Sequence, residues 1–366
     1  MAENEICTDS NTLYLVNASD AAILLYSDSE TVVYSVILPI ILLFGVSCNA
    51  AFLFVVAKIK RLRTITNYYL VCVALADITF ILTSVGPYLW VFFTSPVRND
   101  SAWDHSAGCL LVFGIPLTMY FASMGLYTLV TLERYYAICI PLKHRAIAGK
   151  RRTLKIIIAN TLVSIILGVL VSLKDGRLGS SCVVWPDDEE FNNFPSIIKD
   201  CVPIHPDVVI MGEVLQTAPF FVAMIWNGYM YVVIIYTLNK RKAEQITDDK
   251  NSQMQEQATQ VRNQVARLLI LNGSVFFACQ VIYRFVAVHI IMKLTIGFGI
   301  FNSDEALGLV VIISRGLLYV NSSINPILYN LSSSFYYEAF REAFGCKKKQ
   351  MCTAVNGPIS TKATRQ

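Results

Sequence analysis

"GCLLVFGIPLTMYFASMGLYTLVTLERYYAICIPL", residues 108–142, decides the fold. From Gly108 to Leu132, about 25 residues, no side chain is charged, and the run closes on Glu133 and Arg134 side by side. A helix needs about 20 apolar residues to cross a bilayer, and a charge held in lipid is costly. The acid–arginine pair therefore marks the place where a membrane-spanning helix returns to water.

The rest of the chain follows the same pattern. Of its 366 residues 55% are hydrophobic and only 15% are charged, whereas soluble domains carry about 25% charged residues. Seven apolar spans are read, near 31–57, 67–93, 107–138, 154–173, 207–238, 264–292 and 306–330. Ten-residue alternating segments are missing, which excludes a barrel and leaves an all-α seven-helix bundle. The expected organisation is an acidic outer tail (1–30), the bundle (31–332), an amphipathic juxtamembrane helix (333–346) and a polar inner tail (347–366). No stretch reads as a nucleic-acid patch, and no internal repeat suggests a transporter.

Lysine and arginine orient the bundle. None occurs before Lys58, and the segments that follow the first, third, fifth and seventh spans are basic, ending at Lys347, Lys348 and Lys349. The amino terminus is outside and the carboxyl terminus inside. The first thirty residues lack a basic region, so the first span is expected to act as the insertion signal rather than a cleaved leader. Sequons at Asn17 and Asn99 fall outside and are candidate glycosylation sites. Cys7, Cys109, Cys182 and Cys201 also fall outside, where they can oxidise. Cys109 is expected to bridge to the loop before the fifth span; Cys201 is the chosen partner because it lies nearer that span, with Cys182 the competitor.

Five signatures add identity: "GVSCN" ending at Asn49, "LAD" ending at Asp77, Cys109, "ERY" at 133–135 and "NPILY" at 325–329. In this order and on these helices they resemble the rhodopsin-like (class A) G-protein-coupled receptors, over roughly residues 31–346. "TNYYL", "ERYYAICIPLK" and "NSSINPILYNL" resemble most closely the peptide receptors of the thyrotropin-releasing-hormone and neuromedin U group. The resemblance implies a receptor without enzyme chemistry that binds an extracellular peptide and activates a heterotrimeric G protein. It further implies arrestin and receptor kinase as partners.

The same resemblance gives roles to residues. Glu133, Arg134 and Tyr135 would form a switch in which Arg134 leaves Glu133 to contact the G protein; by its position alone Arg134 is an arginine able to snorkel to the interface. Tyr231, Asn325, Pro326 and Tyr329 would rearrange with it, Pro326 bending the seventh helix. Asp77, an acid at mid-membrane, would share an allosteric sodium ion with Ser123, Asn321 and Asn325; oxygen ligands suit such a hard cation, and a water-filled polar network is the plainer alternative. "FYYEAFREAFGCKKK" is amphipathic and reads as a helix lying on the inner membrane surface, with Cys346 beside three lysines as a palmitoylation candidate.

On the ligand side, Pro116 occupies the place where amine receptors keep an acid, and Tyr319 the place where opsins keep a lysine. Tyr283, Arg284 and Arg315 match the type that holds a small amidated peptide, arginine offering a fixed donor fork to a carbonyl or carboxylate. Leu117 and Phe121 are apolar where that type is polar, so the expected peptide is a different one. The sixth helix reads "CQVI", with Gln280 and Ile282 in place of the family's tryptophan and proline. That departure keeps a second reading open: a peptide-capturing protein that couples weakly or not at all, as a scavenger or heteromer partner.

Overall fold

The computed structural model describes residues 7–98, 100, 101, 103–247, 253–301 and 303–345, with the side chains of 242–262, 304 and 305 set aside. Asn99, Cys346 and the tail 347–366 lie outside the described residues. Among the described residues seven long helices form the bundle: α1 (Leu38–Lys58), α2 (Ile65–Thr94), α3 (Ser106–Cys139), α4 (Lys150–Ser172), α5 (Asp207–Thr247), α6 (Gln253–Ile296) and α7 (Asp304–Ser332). All seven are long and apolar enough to cross a membrane. A short helix, α8 (Ser334–Ala343), follows.

Local chemistry sets the helix starts. Thr64 and Ser303 accept hydrogen bonds from backbone N–H groups three residues on, and Ser27 forms a capping box with Glu30 ahead of α1. Pro87, Pro116, Pro219 and Pro326 sit inside α2, α3, α5 and α7, each removing one ladder hydrogen bond. Helices α5 and α6 run past the ends of their expected spans, because their inner ends are rich in Lys, Gln, Glu and Ala. These residues favour helix without being apolar.

The bundle is inside-out by the standard of a soluble protein. Leu43, Ile166, Val222 and Ile225 face outward, where hydrocarbon is the fitting solvent, while buried Asn49, Asp77, Asn272, Asn321 and Asn325 line the interior. Between them a continuous core links Phe52, Leu70, Tyr127, Phe276 and Tyr329. Small residues let helices close up: a Cβ added at Gly125 would collide with Asn160, and one at Gly168 with Thr118.

The outer face carries a cap that the hydropathy pattern does not announce. Strand β2 (Arg177–Val184) pairs antiparallel with β3 (Ile197–Val202), and β1 (Thr12–Tyr14) adds to β2 in parallel. One disulfide joins Cys109 of α3 to Cys201 of β3, and a second joins Cys7 to Cys182 of β2. Leu15, Ala21, Val97, Val183, Phe191 and Ile198 form a small core beneath it, with Trp185 stacked on Phe191. Arg98 ties the amino-terminal segment down, donating at 2.9 Å to Glu30 and at 2.9 Å to the Ile23 carbonyl. Burial pushes the Tyr26 phenol in this segment up to about 12.

On the inner face α8 buries Tyr336, Ala339 and Ala343 against the bundle. Lys58 donates to the Ala343 carbonyl at 2.7 Å, satisfying an end group of α8. The Tyr336 hydroxyl donates to Asn67 at 2.5 Å.

Candidate ligand cavity and activation core

A cavity of about 630 Å³ opens between the helices under β3, within the usual range for a ligand site. Tyr283, Arg284 and Arg315, chosen from the sequence, all line it. Arg315 lies over the Tyr88 ring at 5.6 Å, and no carboxylate pairs with it among the described residues. Arg284 is only 2% exposed, packed on the rings of Tyr120 at 4.7 Å and Tyr283 at 4.9 Å. It donates to the Gln216 carbonyl at 3.1 Å, and its buried Nε has no hydrogen-bond partner. Leu117 lines the cavity, whereas Phe121 is packed into the core behind it.

One wall was missed by the sequence reading. Lys174, at the outer end of α4, meets Glu213 of α5 at 2.5 Å, and the Gln216 amide donates to the other oxygen of Glu213. An acid within the fifth apolar run was the available signal. Gln280 also faces this cavity from α6, in the place of the family tryptophan, and its buried side-chain oxygen has no partner.

Deeper in the bundle Asn325 donates to Asp77 at 2.6 Å. The Ser322 hydroxyl lies beside the same carboxylate, and the Ser322 carbonyl accepts from Asn49 at 2.8 Å. Ser123 and Asn321 are buried too, but neither hydrogen-bonds to Asp77 among the described residues. The side-chain oxygens of Asn49, Asn321 and Asn325 are buried without partners. Each such atom is costly unless something satisfies it, and a carboxylate with amide and hydroxyl oxygens is donor chemistry that a small hard cation takes. The residues present therefore fit a sodium ion. Below them Asn272 of α6 donates to the Tyr127 hydroxyl at 3.2 Å, and Tyr329 packs on Phe52 at 5.1 Å and on Tyr336 at 5.8 Å. Pro326 lies inside α7 between these two layers.

At the inner end Glu133 takes a partner that the sequence reading did not name. His144 Nε2, in the short helix Pro141–Ile147 that follows α3, lies 2.7 Å from Glu133 Oε1. Arg134 is half-buried and within electrostatic reach of the Tyr336 phenol. Tyr135 stacks edgewise on Tyr136. Tyr231 is buried rather than interfacial: its hydroxyl accepts from Thr131 at 3.4 Å and rests where a Cβ on Gly273 would be. Outside the membrane, Asn17 is exposed and caps a helical turn through its side-chain oxygen, accepting from the Asp20 N–H at 2.9 Å.

The outer cavity, the polar core around Asp77 and the residues around Glu133 and Arg134 thus follow one another down the bundle. The model of the 7 transmembrane receptor (rhodopsin family) matches residues 48–329. This chain belongs to that family. It is a multi-pass plasma-membrane receptor and not an enzyme. Among its relatives this rhodopsin-family receptor is 25% identical over 378 residues to the thyrotropin-releasing hormone receptor of Mus musculus, covering 98% of this chain and 89% of the relative. It is 26% identical over 330 residues to neuromedin-U receptor 2 of Homo sapiens, covering 86% and 72%. It is 26% identical over 320 residues to galanin receptor 2a of Danio rerio, covering 87% and 79%.

Proposed function

We propose that this receptor binds a small extracellular peptide in the cavity beneath β3 and activates a heterotrimeric G protein at its inner face. The observation that carries the reading is Arg315, a cation lining the cavity with no carboxylate partner among the described residues. A cation removed from bulk water is stabilised by an incoming carbonyl or carboxylate, and a peptide's carboxyl end, amidated or free, supplies one. Relatives named as receptors for peptides support the same ligand class. Tyr283 and Arg284 complete the wall that receives it.

Binding in the cavity reaches the inner face through α6 and α7. Asn325 and Tyr329 would repack with Tyr231 around Arg134, leaving Arg134 and Tyr135 to meet the G protein. A sodium ion held by Asp77 with Asn321, Asn325 and Ser123 would supply a positive charge that favours the resting arrangement. Arrestin and receptor kinase act on the same inner face in this reading. Asn17 and Asn99 carry glycans, and Cys346 carries a palmitoyl chain.

The test is G-protein activation in cells expressing the receptor, across a panel of short amidated peptides, beside Arg134→Ala and Arg315→Ala. A peptide response that vanishes in Arg134→Ala at equal surface expression is expected. Arg315→Ala should weaken binding about tenfold or more with surface expression close to wild type. Equal losses of binding and expression would assign Arg315 to packing instead.

A further inference from the structure

The cavity wall carries charges of both signs. Arg284 and Arg315 come from α6 and α7, whereas Asp175 and Asp200 come from the turn after α4 and from β3. Helix α4 packs against α3 and α5, and α7 packs against α1, α2 and α6, so the acids and Arg315 belong to different sides of the bundle. Asp175 lies within electrostatic reach of Arg315 and of Lys174, yet neither forms an ion pair with it. Lys174 is engaged by Glu213, whose two oxygens are both taken. Asp175 and Asp200 are half-buried, and among the described residues neither side chain has a hydrogen bond or an ion pair. The buried, unpartnered Nε of Arg284 and side-chain oxygen of Gln280 lie on the same cavity's wall.

Half-buried carboxylates without partners are unfavourable in a protein that could have paired them. Here one nearby lysine is already spent on Glu213, Arg284 is held by Tyr120, Tyr283 and the Gln216 carbonyl, and Arg315 lies over the Tyr88 ring. What the acids lack is a cation delivered from outside.

We propose that Asp175, seconded by Asp200, is the specificity-determining subsite for a cationic group of the ligand, either a free α-amine or a lysine or arginine side chain. The ligand is then bipolar, its cation beneath the β-hairpin and its carbonyl end at Arg315 and Arg284. This rests on the peptide-receptor reading and narrows it, since a peptide capped at its amino terminus and without basic side chains has nothing to offer Asp175.

The experiment uses the purified full-length receptor and reads thermal stabilisation, which reports binding whether or not the receptor couples. The probes are C-terminally amidated tetrapeptides in matched sets, with a free or acetylated amino terminus, and with lysine or norleucine at each position. The expected result is that stabilising peptides carry a cation and lose at least about tenfold in affinity when it is neutralised. Asp175→Asn should erase that difference, leaving neutral analogues within about twofold of their wild-type affinity, and Asp175→Glu should restore it. Hits indifferent to the cation would overturn this subsite while leaving the peptide reading intact. A cation preference that survives in both Asp175→Asn and Asp200→Asn would overturn it as well. If no peptide of any set stabilises the wild-type receptor, the peptide reading fails and the subsite fails with it.

Discussion

Gly273 shows what a single missing Cβ does in this bundle. The Tyr231 hydroxyl occupies the place that a side chain at Gly273 would need, with the ring carbon behind it 3.1 Å from the ideal Cβ position. Gly273→Ala should therefore overpack the contact between α5 and α6 and destabilise the receptor by about 1–3 kcal/mol. In a Tyr231→Phe background the obstructing oxygen is gone, and the same substitution should cost less than half as much. Thermal melts of the four purified proteins measure this directly, and an equal cost in both backgrounds would show that the two residues do not meet. At this scale the sequence disclosed residue types but not partners. Asp77 stood out because a charge in an apolar run is expensive, and Arg315 because the family resemblance pointed to its position. His144 did not, because a histidine in a basic loop has no pattern that points eleven residues back to Glu133. Glu213 was legible by the same argument as Asp77 and was passed over.

At the scale of elements, the seven helices were legible because hydropathy measures what a bilayer selects. The inner extensions of α5 and α6 were not, since they lie beyond the apolar runs. The cap was hidden for a different reason: β1 has three residues, and its pairing with β2 is a tertiary contact with no local period. The choice of Cys201 for Cys109 agrees with the structure, but the bond from Cys7 to Cys182 could not be derived from spacing. That second bond closes a chain separation of 175 residues, and it anchors a strand too short to persist alone. Cys7→Ser with Cys182→Ser should leave the receptor at the cell surface, because Cys109–Cys201 still ties β3 to α3. Amide exchange at Leu13 and Tyr14 should accelerate at least about tenfold, the equivalent of 1.4 kcal/mol in local opening. Unchanged protection would assign the hold on β1 to Arg98 and the small apolar core instead.

The molecule as a whole couples two faces through a polar interior. The order of its signatures along the chain made the family legible as a resemblance, and among them Asn49, Asp77 and Asn325 are polar residues at a depth where only function or pairing retains them. The route between the faces was less legible, since Gln280 and Ile282 break the family pattern on α6. Between the faces the structure places Gln280 at the cavity, Asn272 on Tyr127, and Asn325 on Asp77. If a sodium ion shares Asp77 with the unsatisfied asparagine oxygens, it binds one arrangement of α7 better than another, and linkage makes ligand and ion oppose each other through that difference. Replacing N-methylglucamine chloride by sodium chloride at fixed ionic strength should then lower the affinity of an activating tetrapeptide about fivefold or more. Asp77→Asn keeps the shape and removes the charge, so the affinity of the variant should no longer respond to the exchange. Fixed ionic strength matters, because the cation subsite at Asp175 would itself respond to general screening. A variant as sodium-sensitive as the wild type would place the ion elsewhere, leaving Asp77 as the centre of a hydrogen-bond network that joins α2 to α7 without one.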